Sequence, residues 1–110
     1  MMTVIWNSTG ISSRFIGELQ EYCKSKSQIE KVVLFGSRAR GDFKKTSDID
    51  LAFFTNELTH SEQNLIENDI HQMSTPLKID IVFFNRLTKN KLISNILNDG
   101  VIIYEQGATL

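Results

Sequence analysis

Three short stretches of this chain carry side chains suited to phosphate chemistry. The first is Gly36-Ser37, placed where the apolar run Lys31-Val-Val-Leu-Phe35 ends. A glycine lets a phosphate approach the backbone closely, a helix start offers unpaired N–H groups, and the serine adds a hydroxyl donor. The same pair also suits an ordinary tight turn with serine as a helix cap. The second stretch is Asp48-Ile49-Asp50. Side chains alternate along a strand, so both carboxylates point to one face, about 6–7 Å apart at Cα, while Ile49, Leu51 and Phe53 face the core. Two carboxylates on one face repel unless a cation lies between them, and their hard oxygens suit Mg²⁺ or Mn²⁺. A solvated strand entrance with Asp48 capping a turn is the structural alternative. The third is Asp80, set among Ile79, Ile81 and Val82. A carboxylate in mid-strand is disfavoured by propensity and costly to bury without a cation. A salt bridge to Lys78, or an edge strand that leaves Asp80 in solvent, would account for it structurally.

Taken together the three stretches fit two-metal phosphoryl transfer, which needs carboxylates holding cations about 3.5–4 Å apart and donors for the phosphates. Asp48 and Asp50 can bridge the metals. Asp80, from a neighbouring strand, can complete one coordination shell near the attacking hydroxyl, and Ser37 with the loop N–H groups can hold the leaving phosphates. Arg38, Arg40, Lys44 and Lys45 crowd the same region, and of these Arg40 is the preferred phosphate contact. His60 and His71 lack metal-ligand spacing, and Cys23 reads as a small core residue. Core packing is also the reading for Trp6, Phe83 and Phe84.

The elements that must position these groups follow from periodicity. Ile11, Phe15, Ile16, Leu19, Tyr22 and Cys23 recur at helical spacing behind Ser12 or Ser13, which predicts a helix over 12–26. Lys31 to Gly36 predicts a buried strand, and 37–42 a short helical turn. Ile49 to Phe54 predicts a second strand. Thr59-His-Ser-Glu62 has capping-box spacing ahead of a helix over about 60–73, which Pro76 prevents from continuing. Leu77 to Phe84 predicts a third strand. Thr88 is the expected cap of a fourth helix, ended by Gly100 as a C′ glycine, and Val101 to Tyr104 a last short strand. The expected architecture is α/β (α+β): a small mixed sheet of three to four strands flanked by about four helices.

The chain has 110 residues, 41% hydrophobic and 23% charged, which excludes disordered and fibrous classes. One domain over 1–110 is expected, with its core at about 11–105 and the first ten and last five residues loose or partner-bound. Twelve basic and 13 acidic residues give a net charge of −1, too little basic excess for direct DNA binding. No apolar run is long enough to span a membrane, and Met1 to Gly10 does not read as a secretory signal. A single cysteine suits a reducing, cytoplasmic compartment.

Gly36-Ser37, ten residues (38–47), then Asp48-Ile49-Asp50, with a third acid on a later strand at Asp80, resembles the signature of the DNA polymerase beta-like nucleotidyltransferase superfamily. Gly36-Ser-Arg-Ala-Arg-Gly41 with Ser47-Asp-Ile-Asp-Leu51 is most similar to its minimal nucleotidyltransferase (MNT) group. The resemblance covers about Val32 to Phe84. It implies a polymerase beta-like fold, two divalent ions (Mg²⁺, with Mn²⁺ possible) at Asp48, Asp50 and Asp80, and transfer of a nucleotide from a nucleoside triphosphate with loss of pyrophosphate. It also implies Asp80 as the base for the acceptor hydroxyl. Many MNT proteins pair with a helical HEPN-type ribonuclease toxin. The leading expectation is therefore a protein adenylyltransferase antitoxin using ATP. A small-molecule, aminoglycoside-like nucleotidyltransferase and a non-catalytic binding antitoxin are the alternatives.

Overall fold

The computed structural model describes residues 2–3 and 6–107. In chain order the elements are β1 (Met2–Thr3), a 3₁₀ turn (Trp6–Thr9), α1 (Ser13–Lys24), β2 (Ile29–Phe35), α2 (Ser37–Arg40), β3 (Ile49–Thr55), α3 (His60–His71), β4 (Ile79–Phe83), a 3₁₀ turn (Phe84–Arg86), α4 (Asn90–Asp99) and β5 (Val101–Glu105). One mixed sheet has the order β1-β5-β2-β3-β4. β2 is antiparallel to both β3 and β5, whereas β3 pairs in parallel with β4 and β1 with β5. The expected four strands are β2 to β5, and the two-residue β1 adds a fifth at the rim.

Alternation along the central strands divides the core. Val32, Leu34, Ile49, Leu51 and Phe53 turn to one face, where they pack with Phe15, Leu19 and Cys23 of α1 and Ile66 and Ile70 of α3. Val33 and Ala52 turn to the other face, against Ile96 of α4. Apolar spacing of about four residues per turn on each helix is what matches it to a sheet face. Ser12 caps α1, accepting a hydrogen bond from Phe15 N at 3.2 Å. Thr59 and Glu62 close the capping box of α3 reciprocally, at 3.1 and 2.9 Å.

Several expectations need correction. The first ten residues are not simply loose: Met2–Thr3 pairs with β5, and Thr9 is buried. Gln106, expected to be loose, donates to Ser27 O and Glu30 O. Residues 1, 4–5 and 108–110 of those end segments lie outside the described residues. Thr88 does not cap α4; Lys89 holds the cap position without a side-chain bond. Gly100 ends α4 with φ −64°, not in the left-handed region. Its glycine is needed for space instead, since a Cβ there would run into Ile96 O and Val33 Cγ1. The third strand is shorter than expected, because Lys78 precedes it and Phe84 begins a 3₁₀ turn.

Candidate active site

The turn from β2 into α2 has to be glycine. Gly36 sits at φ 75°, ψ −157°, a region almost closed to other residues. A Cβ at 36 would also meet the Asp50 carboxylate oxygen. Gly36 is the cap of α2 and makes no side-chain bond, so Ser37 is the first helical residue and not the cap that an ordinary turn would make of it. The Ser37 hydroxyl has no hydrogen-bond partner among the described residues.

β3 begins at Ile49, so Asp48 lies at its threshold and Asp50 is its second residue. Ile49, Leu51 and Phe53 are fully buried, which fixes Asp50 on the opposite face, the one that carries α4. In the parallel pairing of β3 with β4, Asp50 is the direct partner of Asp80. The structure thus brings two expected acids side by side across a sequence separation that only the sheet register closes. Asp50 also pairs with Phe35, the residue before Gly36, so the glycine turn stands next to the acids.

Burial raises the Asp50 carboxyl to about 6, and the charges of Asp80 and Asp48, with a hydrogen bond to Asp80, push it the same way. Arg40 acts on it in the opposite sense. Carboxylates crowded until one resists ionising are a donor set that a hard divalent cation would relieve. Asp50 and Asp80 form the close pair, and among the described residues no three acidic, imidazole or thiolate groups are already gathered as a finished ligand cage. Asp80, on the edge strand, is half exposed and pairs with Lys78 at 3.7 Å. That is the salt bridge on an edge strand envisaged from sequence, and it coexists with the register to Asp50.

Of the basic cluster, Arg40 is exposed, pairs with Asp42 at 3.3 Å, and lies close enough to Asp50 to lower its pKa. Arg38 is not a surface cation: it is 2% exposed and bonds backbone carbonyls. Lys44 and Lys45 remain exposed. His71 bonds Ile79 O, and Cys23 is buried in the core as expected. The residue that sequence reasoning missed is Arg38. It lies inside the predicted helical turn, and its backbone-carbonyl partners leave no residue-type signal in the sequence.

A cavity of about 520 Å³ opens at the far end of β3, lined by Thr55, Leu58, Gln63 and Arg86 among others. At about 3.3 Å per residue it lies roughly 17 Å from Asp50, and none of the acids lines it. The acids, the strained glycine turn and Ser37 make up the candidate site, and the cavity lies apart from them.

A glycine–serine turn beside paired acids on a mixed sheet is the arrangement of a nucleotidyltransferase. The sequence profile of the polymerase beta nucleotidyltransferase family matches residues 17–108, and the chain belongs to that family. A Methanocaldococcus jannaschii protein, provisionally named a protein adenylyltransferase, is 33% identical over 81 residues, 69% of this chain and 80% of that protein. Among solved structures, a chain of a toxin–antitoxin crystallised with AMP-PNP has a TM-score of 0.67 at 17% identity, covering 88% of this chain and 76% of its own. A chain of a mutant toxin–antitoxin MntA–HpeT has a TM-score of 0.64 at 14% identity, covering 88% of this chain and 75% of its own. These two likenesses show the fold. No helix among the described residues is long and apolar enough to cross a membrane.

Proposed function

We propose that this nucleotidyltransferase moves an adenylyl group from ATP to a hydroxyl of a partner protein, and that the partner is a HEPN-type toxin which it neutralises as an antitoxin. The observation that carries the catalytic part is the Asp50–Asp80 register beside Gly36. The protein acceptor draws support from the name of the M. jannaschii relative, and ATP and a toxin partner from the AMP-PNP and toxin–antitoxin neighbours.

Asp48, Asp50 and Asp80 fit Mg²⁺ in ligand type and in their mutual repulsion. When bound, the ion would draw charge from the transferring phosphoryl group. The Gly36 turn gives the triphosphate a close backbone approach, and Ser37 Oγ offers a donor to the leaving phosphates. Arg40 supplies positive charge at the same mouth. Asp80, half exposed on the edge strand, accepts the proton of the incoming hydroxyl. The hydroxyl oxygen bonds to the α-phosphorus as the bond to pyrophosphate breaks. The proton ends on Asp80, and pyrophosphate leaves with the bonding pair.

Mixing the protein with ATP, Mg²⁺ and a purified candidate HEPN-type toxin tests this by intact mass. An added AMP on the partner is expected. Neutralisation without any adduct, and equally by Asp80→Asn, would leave only a binding antitoxin.

A further inference from the structure

One buried arginine holds the segment that ends at Asp48. Arg38 Nε donates to Ser47 O at 3.1 Å, Nη1 to Thr9 O at 3.0 Å, and Nη2 to Lys44 O and Lys45 O at 3.4 and 3.2 Å. Its guanidinium carbon lies 4.8 Å from the centre of the Phe43 ring. The 44–47 segment is itself a closed turn: Ser47 N donates to Lys44 O, and Lys44 N donates to Ser47 Oγ at 2.8 Å. Three carbonyls of this turn therefore converge on one side chain, and the next residue is Asp48.

A buried cation without a carboxylate is costly unless other groups solvate it. Among the described residues no acid pairs with Arg38; four backbone carbonyls and an aromatic face take that place. Only a guanidinium offers donors in several directions from one rigid plane. The same plane reaches the N-terminal segment at Thr9, and a Cβ on Gly10 would come within 2.9 Å of Arg38 Nη1. We infer that Arg38 is a positioning residue for the metal site: it fixes Asp48 through the 44–47 turn and anchors that turn to Thr9. This rests on the reading that Asp48 helps hold the divalent ion.

The test measures Mn²⁺ binding in the presence of ATP by electron paramagnetic resonance, alongside melting temperature. Arg38→Met and Arg38→Lys are expected to weaken Mn²⁺ binding about 10- to 100-fold, as loss of a ligand-orienting group does. The lysine variant keeps the charge but cannot span the carbonyls. Ile70→Val, a core truncation on α3, serves as a destabilised control whose Mn²⁺ binding should match the parent. Should Arg38→Met fail to fold, Arg38→Lys and Phe43→Leu give the same reading. Folded variants at Arg38 or Phe43 that bind Mn²⁺ as the control does would overturn the positioning role. If Asp48→Asn also binds Mn²⁺ like the parent, the metal reading itself is wrong and this proposal goes with it. If only Asp48→Asn is weakened, the metal reading stands and the role of Arg38 falls.

Discussion

The Asp50 carboxylate fills the space that a side chain at Gly36 would need. The turn proposed to meet the phosphates and an acid proposed to meet the metal are thus in direct contact, and a side chain at 36 would displace the acid.

Gly36→Ala should therefore cost stability and metal-dependent binding together. Forcing alanine into this backbone region costs of order 1–3 kcal/mol, before the displacement of Asp50 is counted. Urea denaturation should show that loss, and calorimetric titration with Mg-ATP should show binding reduced by at least tenfold (about 1.4 kcal/mol). A variant that is less stable but binds normally would separate the turn from the site.

Asp50→Asn should act in opposite directions on the metal-free and metal-loaded protein. Its carboxyl is raised to about 6 by burial and by Asp80 and Asp48, so at neutral pH its charge opposes folding. Removing that charge should raise the Tm in EDTA by a few degrees, roughly 1 kcal/mol once solvent screening is allowed for. The further rise in Tm on adding Mg²⁺ and ATP should disappear. Scanning calorimetry with and without the ion reads both effects.

Asp80→Asn should keep partner binding within a few-fold and lower transfer by at least 100-fold, in line with losing a proton acceptor worth about 10²–10⁴. Pull-down affinity and intact mass of the partner are measured on the same samples.

Thr59→Ala should cost about 1 kcal/mol by breaking the capping box of α3, with Mg-ATP affinity unchanged. Thermal melting and titration calorimetry distinguish this purely structural loss from those at the acids.

Cys23 is pushed by burial from its ordinary value of 9.0 up to about 12. An acid raised in the folded state keeps its full contribution to stability below pH 9 and loses it as pH rises toward 12, because only the unfolded thiol ionises in that window. Iodoacetamide at pH 8 should therefore modify Cys23 no faster than the chain unfolds, whereas a denatured control reacts at once.

The parts of the site visible in sequence were those held within a few residues. Gly36-Ser37 depends on a turn and Asp50 on strand alternation, both local rules, and the structure shows the turn at Gly36 and Asp50 opposite the buried Ile49 and Leu51, with Asp48 just before the strand. Asp80 was legible as an oddity of composition, but its place opposite Asp50 depends on the β3–β4 register, set by packing of α3 and the core. Arg38 was misread as a surface cation, since its partners at Thr9 and at 44–47 are backbone carbonyls with no residue-type signature. Gly100 was legible as the end of α4, but the close approach of Val33 and the α4 backbone, which requires a glycine there, was not. Thr88 has the chemistry of a cap but lies one residue before the cap position.

Because β4 is the outermost strand, it can detach without opening the central β2–β3 pair. Edge segments open at lower free energy than the core, so amide protons of β4 should exchange with solvent before those of β3. The three acids thus differ in persistence: Asp50 lasts as long as the global fold, while Asp80 is lost in any excursion that frees its strand. Whatever seats on that rim and slows its opening would hold the third acid in register, so occupancy of the edge and completeness of the site become one thermodynamic quantity.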